Sequence, residues 1–202
     1  MRMIQQMISW LPQLLNGAKI TILLTLCAVS MGLLLSIFLA LGKMSKNKIL
    51  SGICSVYIFF FRGTPLLMQL YFIYFGLPQI NMALTINSRF FAAFLAFSLN
   101  SAAYCSEFIR AAIQSIDRGQ FEASKALGLS KAQTMQLVIF PQSIRRLVPS
   151  VANEFIMVLK DASLVSIIAL ADLTKVTRAI SSSTGTAMVY IPAMMIYLVM
   201  TA

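Results

Sequence analysis

Apolar residues run in long blocks along this chain, separated by short polar gaps. Five blocks can be read, at about 18–41, 49–75, 89–112, 146–170 and 187–202. A helix rises ~1.5 Å per residue and needs about 20 apolar residues to cross the hydrocarbon layer of a bilayer. The pattern therefore predicts an all-α membrane protein, five transmembrane helices in a single domain over residues 1–202. Ahead of the first block, Ile4, Met7, Ile8, Leu11, Leu14 and Leu15 fall at helical spacing, with Trp10 among them. Residues 1–16 thus read as an interfacial amphipathic helix stopped by Gly17, with an outward extension of the first span as the alternative.

The second block is interrupted. Residues 49–61 would reach only ~20 Å as a helix, and Arg62-Gly63-Thr64-Pro65 then breaks the pattern before it resumes. Pro65 removes a backbone donor and disfavours helix at Thr64. A broken helix at membrane depth is tolerated only against protein or water, so the break points to an internal pathway with Thr64 on it. A simple kink, with Arg62 reaching a lipid headgroup, is the competing reading. Residues 76–88 and 172–185 read as external loops. The last block reaches only ~24 Å by Ala202, so a complete final span would continue beyond it.

One stretch contradicts the oily pattern: Gly119-Gln-Phe-Glu122-Ala123-Ser-Lys-Ala126-Leu127-Gly128, within a loop at 117–141. Glu122, Ala123, Lys125, Ala126 and Leu127 are good helix formers. Gly128 is a natural stop, and Ser130 can cap a second helix over 131–139 that Pro141 ends. Phe121, Ala126, Leu127 and Leu129 would then form an apolar knob ringed by Glu122 and Lys125. Such a unit suits insertion into a groove on a partner protein; an amphipathic hairpin resting on the membrane is the alternative.

Composition fits lipid. Of 202 residues, 59% are hydrophobic and 11% charged, against roughly 25% charged in soluble domains. The net charge of +10 does not imply nucleic acid, because Lys and Arg flank the apolar blocks as topology determinants do. Lys43, Lys46 and Lys48 follow the first block, and Arg118, Lys125, Lys131, Arg145 and Arg146 lie between the third and fourth. This bias places the 117–141 loop in the cytoplasm, the N-terminus outside and, with five spans, the C-terminus in the cytoplasm. Cys27, Cys54 and Cys105 lie within apolar blocks and the chain has no His, so no metal site is expected. There is no phosphate-binding glycine loop, no nucleophile elbow and no imidazole for acid–base work. No catalytic residues are assigned.

Ionisable residues inside spans default to functional hypotheses. Glu154 and Asp161 are seven apart and differ by only ~20° around a helix, which puts two carboxylates on one face of the fourth span. That face could receive an ammonium or guanidinium group. The alternative is internal neutralisation, Asp161 by Lys160 or Arg62 and Glu154 by the basic end of the span. Glu107 and Arg110, three apart, have the spacing of a structural ion pair. Asn100 and Tyr104, four apart on the same span, can offer hydrogen bonds to a central pathway or to a neighbouring helix.

These residues carry a resemblance. Glu122-Ala-Ser-Lys-Ala-Leu-Gly128 followed by Ile139-Phe-Pro141 is similar to the "EAA" loop of the permease subunits of ABC importers. Arg62-Gly-Thr-Pro-Leu-Leu67, Tyr74-Phe-Gly-Leu-Pro78, Asn100-Ser-Ala-Ala-Tyr104, Glu107-Phe-Ile-Arg110 and Lys160-Asp-Ala-Ser-Leu164 resemble the branch that imports polar amino acids. Ser124 stands where that pattern often has Ala, and Ala162 where Thr is common; both are small. The resemblance implies a type I importer fold with a coupling helix between spans 3 and 4. It implies two ATPase subunits that grip Gly119, Glu122, Ala123, Ala126, Leu127 and Gly128, a second permease, identical or homologous, and an extracytoplasmic amino-acid-binding protein. ATP and Mg would sit on the ATPases, with no cofactor bound by this chain, in a bacterial cytoplasmic membrane whose lipids it contacts. The implied function is ATP-driven import of a polar amino acid by alternating access, cationic if the acidic face holds. The competing class is an ion or solute channel without an ATPase, which gives the 117–141 loop no role.

Overall fold

The computed structural model describes residues 2–202, with side chains from Gln5 onward, so Met1 and the Ile4 side chain lie outside the described residues. The described residues form helices joined by short connections, with no strand among them: α1 (Arg2–Lys43), α2 (Lys48–Gly63), α3 (Leu66–Tyr71), α4 (Leu77–Ile80), α5 (Arg89–Gln114), α6 (Arg118–Ala126), α7 (Lys131–Gln133), α8 (Phe140–Asp161), α9 (Leu173–Thr184) and α10 (Tyr190–Thr201). The residues gather into two compact units. One comprises Met1–Ser30, Pro65–Ser98 and Phe155–Ala202, the other Met31–Thr64 and Leu99–Glu154. The division arises because α1, α5 and α8 are each long enough to start in one unit and finish in the other.

In the first unit, α1 does not stop at Gly17. It runs unbroken for 42 residues with Pro12 inside it, so the helix of residues 2–16 continues directly into that of the first apolar block. The reason is packing. A Cβ on Gly17 would lie 2.9 Å from the Leu173 Cα, so glycine is there to let another backbone touch the helix. The Thr21 hydroxyl accepts the Leu173 N–H at 3.2 Å beside that contact. Trp10, Leu14 and Ala18 bury against Leu173, Ile180, Val189 and Ala193. A glycine inside a helix costs about 1 kcal/mol relative to alanine, and this close approach offsets it.

The segment read as an external loop at 172–185 is α9. Asp172 caps it, accepting the N–H groups of Thr174 at 2.9 Å and Lys175 at 3.0 Å, and Gly185 ends it in the left-handed region. Leu173, Thr177 and Ile180 are buried at helical spacing. The other expected loop starts five residues late: a π turn at Phe72–Gly76 joins α3 to α4, and only at Asn81 does the chain leave the helix. Pro78 is compatible with this because it sits at the start of α4, where its missing donor is not needed. The fourth apolar block is α-helical only to Asp161. Ala162–Ile168 tightens into a 3₁₀ turn that ends at Ala169, φ 60°.

In the second unit, Ala40, Ile109, Ile113, Ile116 and Ile139 form the core. The outward face of α1 exposes Leu23, Leu26, Leu34, Phe38 and Leu41, and the stretch Gln5–Lys43 is long and apolar enough to cross a membrane. A water-facing helix would not carry so continuous an apolar surface.

Candidate functional site

The break in the second span is real and its polar groups are accounted for. α2 ends at Gly63, and Thr64 and Pro65 are extended. Pro65 has no N–H, so the carbonyl four residues back, on Phe61, loses its helical donor. The Asn100 amide supplies the replacement, donating to the Phe61 oxygen at 3.0 Å. Thr64 turns its hydroxyl back onto the Phe60 carbonyl at 2.8 Å, where its own N–H also bonds at 3.1 Å. Tyr57 adds a bond from its hydroxyl to the Leu99 carbonyl at 2.8 Å. Two residues expected on a pathway, Thr64 and Asn100, therefore also hold the broken end of α2 in place. Asn100→Ala is expected to leave the Phe61 carbonyl without this donor and to destabilise the protein by about 1–3 kcal/mol; a thermal unfolding midpoint unchanged in detergent would contradict it.

Tyr104 and Glu107 line the next turn of α5. The Arg62 guanidinium lies over the Tyr104 ring, 5.3 Å from its centroid. Glu107 and Arg110 form their expected pair with Nη2 at 2.7 Å, and two more cations join it: the Lys43 Nζ at 2.8 Å and the Arg62 Nη1 at 3.9 Å. Arg62 thus turns to Glu107 rather than to Asp161. Lys43 and Arg62 were not singled out for this carboxylate, and no local spacing could have done so, because they lie 64 and 45 positions away in sequence.

The 117–141 segment builds a capped hairpin. Asp117 accepts the Gly119 N–H at 2.6 Å to start α6. At the other end the Gly128 N–H bonds the Lys125 carbonyl at 3.0 Å, and the Leu129 N–H bonds the Ser124 carbonyl at 3.1 Å. With Gly128 at φ 77° this is a Schellman closure. Ser130 and Gln133 then form a reciprocal capping box at 3.3 and 2.9 Å. The second helix does not end at Pro141. α7 passes through a π turn at Thr134–Ile139 straight into α8, and the wider turn relieves the need for the donor that proline lacks. Gln142 bonds Gln120 at 3.1 Å, which braces α6 from α8, and Arg146 donates to the Ser115 carbonyl and hydroxyl in the turn before α6.

Glu122, Ala123, Ala126 and Leu127 are exposed on this hairpin, Leu127 to 80%. Behind them Phe121, Leu129 and Met135 line a hollow of about 580 Å³ with Lys125 and Lys131 at its edge. The exposed apolar tip matches the expected knob in Phe121, Ala126 and Leu127, while Leu129 is partly covered. Glu154 is buried at 4% exposure and Asp161 is exposed, the last residue of α8.

The model of the family described as "Binding-protein-dependent transport system inner membrane component" matches residues 32–202. A putative glutamine transport system permease protein, GlnP, of Rickettsia bellii is 40% identical over 186 residues, covering 90% of this chain and 84% of that protein. The arginine transport system permease protein ArtQ of Bacillus subtilis is 41% identical over 165 residues, covering 82% of this chain and 74% of the relative. Among solved structures, an amino acid ABC transporter crystallised with histidines superimposes with a TM-score of 0.92 at 43% identity, over 98% of this chain and 91% of that one. The helical fold agrees with these likenesses over 98% of the chain. The chain belongs to the family of binding-protein-dependent transport system inner membrane components.

Proposed function

We propose that the chain is the membrane subunit through which an ATP-driven importer passes a polar, cationic amino acid by alternating access. The observation that carries this reading is the α6 hairpin: rigidly capped at both ends, braced from α8, and presenting Leu127 bare at its tip. A pore that opens without an ATPase has no use for such a handle. Two ATPase subunits would grip it, with ATP and Mg on their side, and a second permease copy or homologue would complete the pathway. An extracytoplasmic binding protein would deliver the cargo. The chain has no energy source of its own, so the swing between states must come from partners that bind the two states unequally. The membrane is the bacterial cytoplasmic membrane, with the N-terminus outside and the C-terminus inside. Cleavage of the 118–141 segment by protease added to right-side-out vesicles would reverse that orientation; protection is the expected result.

Glutamine and arginine appear in the names of the relatives, and the acidic side chains of α8 favour the cationic one. Glu154 is buried within α8 and Asp161 is exposed at its end, and ionisable side chains in a membrane-spanning helix are candidates for a functional role. The test is reconstituted uptake with the cognate ATPase and binding protein, using a competitive amino-acid panel. Asp161→Asn combined with Glu154→Gln is expected to raise KM for arginine and lysine about tenfold, the loss of one charge-assisted contact. A wild-type KM in the double variant would remove the acidic face from substrate recognition.

A further inference from the structure

Glu107 is over-subscribed. Lys43 occupies its Oε1 at 2.8 Å, and Arg110 occupies Oε2 at 2.7 Å through Nη2, with its Nε within 3.3 Å of both oxygens. Arg62 reaches the same carboxylate only at 3.9 Å, beyond hydrogen-bond distance. Three cations thus share one anion, so the cluster carries two more positive charges than negative ones. Of the three, Arg62 is the loosely held one, with its side chain 42% exposed against 28% and 30% for Lys43 and Arg110.

The placement of Arg62 is nevertheless fixed. It sits in the last turn of α2, one residue from the end of the helix, and the Asn100 bond to the Phe61 carbonyl pins that turn. Its flat guanidinium lies over the Tyr104 ring. This contact with the ring uses none of the guanidinium N–H groups as conventional hydrogen-bond donors, and those groups form the planar fork that matches a carboxylate bidentately. A zwitterion that leaves water must have its carboxylate answered by a charge or by donors, and a stacked, half-open arginine beside a broken helix supplies both.

We propose that Arg62 binds the α-carboxylate of the transported amino acid, with Tyr104 and Glu107 as its positioning residues. This rests on the amino-acid import reading above. It gives the two ends of the cargo separate partners: the carboxylate goes to Arg62, whereas the side chain is left to whatever determines cargo identity.

The test is equilibrium binding to the purified permease–ATPase complex without the binding protein, so that only the membrane site is read. Labelled L-arginine and labelled L-glutamine are each displaced by the unlabelled amino acid and by its α-amide, which lacks the carboxylate charge. In the wild type, the acid is expected to compete about 10- to 100-fold better than the amide, the range of a charge-assisted bond. In Arg62→Gln the two should compete equally, and Arg62→Lys should recover part of the preference as a point charge without the fork. Because the acid-to-amide ratio is taken within each variant, a lower folded fraction does not distort it. A preference that survives Arg62→Gln overturns the proposal, as does a loss that falls equally on acid and amide. An effect that follows the anionic phospholipid content of the preparation overturns it as well, by assigning Arg62 to a headgroup. If neither amino acid binds the wild-type complex, the import reading itself falls and takes this one with it.

Discussion

Replacing Gly128 with proline is expected to abolish uptake and to strip the ATPase from the purified complex. Gly128 holds φ at 77°, where proline, fixed near −65°, cannot follow. The substitution also deletes the N–H that closes α6 on the Lys125 carbonyl at 3.0 Å. Position and donor are lost together, so the turn between α6 and α7 reopens and the exposed Leu127 tip no longer has a fixed direction. The expected cost is about 3 kcal/mol or more, concentrated in the segment proposed as the ATPase handle. Gly128→Ala is the graded control. It keeps the donor and meets only the left-handed penalty of roughly 1–2 kcal/mol, so it should weaken coupling without erasing it. The measurement is ATPase co-purification alongside the ratio of substrate moved to ATP hydrolysed. Full retention and normal coupling in the proline variant would show that the hairpin is not the handle.

Glu107→Gln should be the most damaging single substitution away from that hairpin. It leaves Lys43, Arg62 and Arg110 facing one another with no anion between them. Removing one partner of a fully buried ion pair costs about 3–5 kcal/mol. The three cations here are part-exposed, so solvent screening brings the expected loss to roughly 2–3 kcal/mol. For a chain of this length that corresponds to about 5–10 °C in unfolding temperature. Glu107→Asp keeps the charge and should recover most of the loss, whereas Glu107→Gln in an Arg62→Gln background should be less harmful than alone. An additive double variant would show that the cations do not share this carboxylate.

Local chemistry made much of this fold legible. The Schellman closure at Gly128 and the Ser130 cap follow from residue type and spacing over a few positions, and the break at Pro65 follows from a missing donor. What escaped was whatever depends on a distant neighbour. Gly17 reads as a helix stop until Leu173, 156 positions later, is found against it. Asp172 and Gly185 were in view as the ends of a polar loop, but their use as caps of α9 depended on Leu173 and Ile180 having something to bury against. Pro141 reads as a terminator because a π turn leaves no compositional mark. The candidate site divides the same way: α6 was legible from helix propensity and caps, its residues' coupling role came from the resemblance, and the Glu107–Arg110 pair came from spacing, whereas Arg62 and Lys43 reach Glu107 only through the packing of three helices.

The seam between the beginning of α1 and the segment after α8 has a consequence in time. Leu173 donates to Thr21 across 152 positions, and Trp10 and Leu14 bury against Val189 and Ala193. A ribosome adding 5–20 residues per second needs about 8–30 s to make a stretch of that length. Throughout that interval the first helix waits without the surface that covers its tryptophan and its buried threonines. The subunit is therefore sealed last where it was begun first. A variant that weakens this seam is expected to lower the amount of folded subunit in the membrane more than the activity of each folded copy.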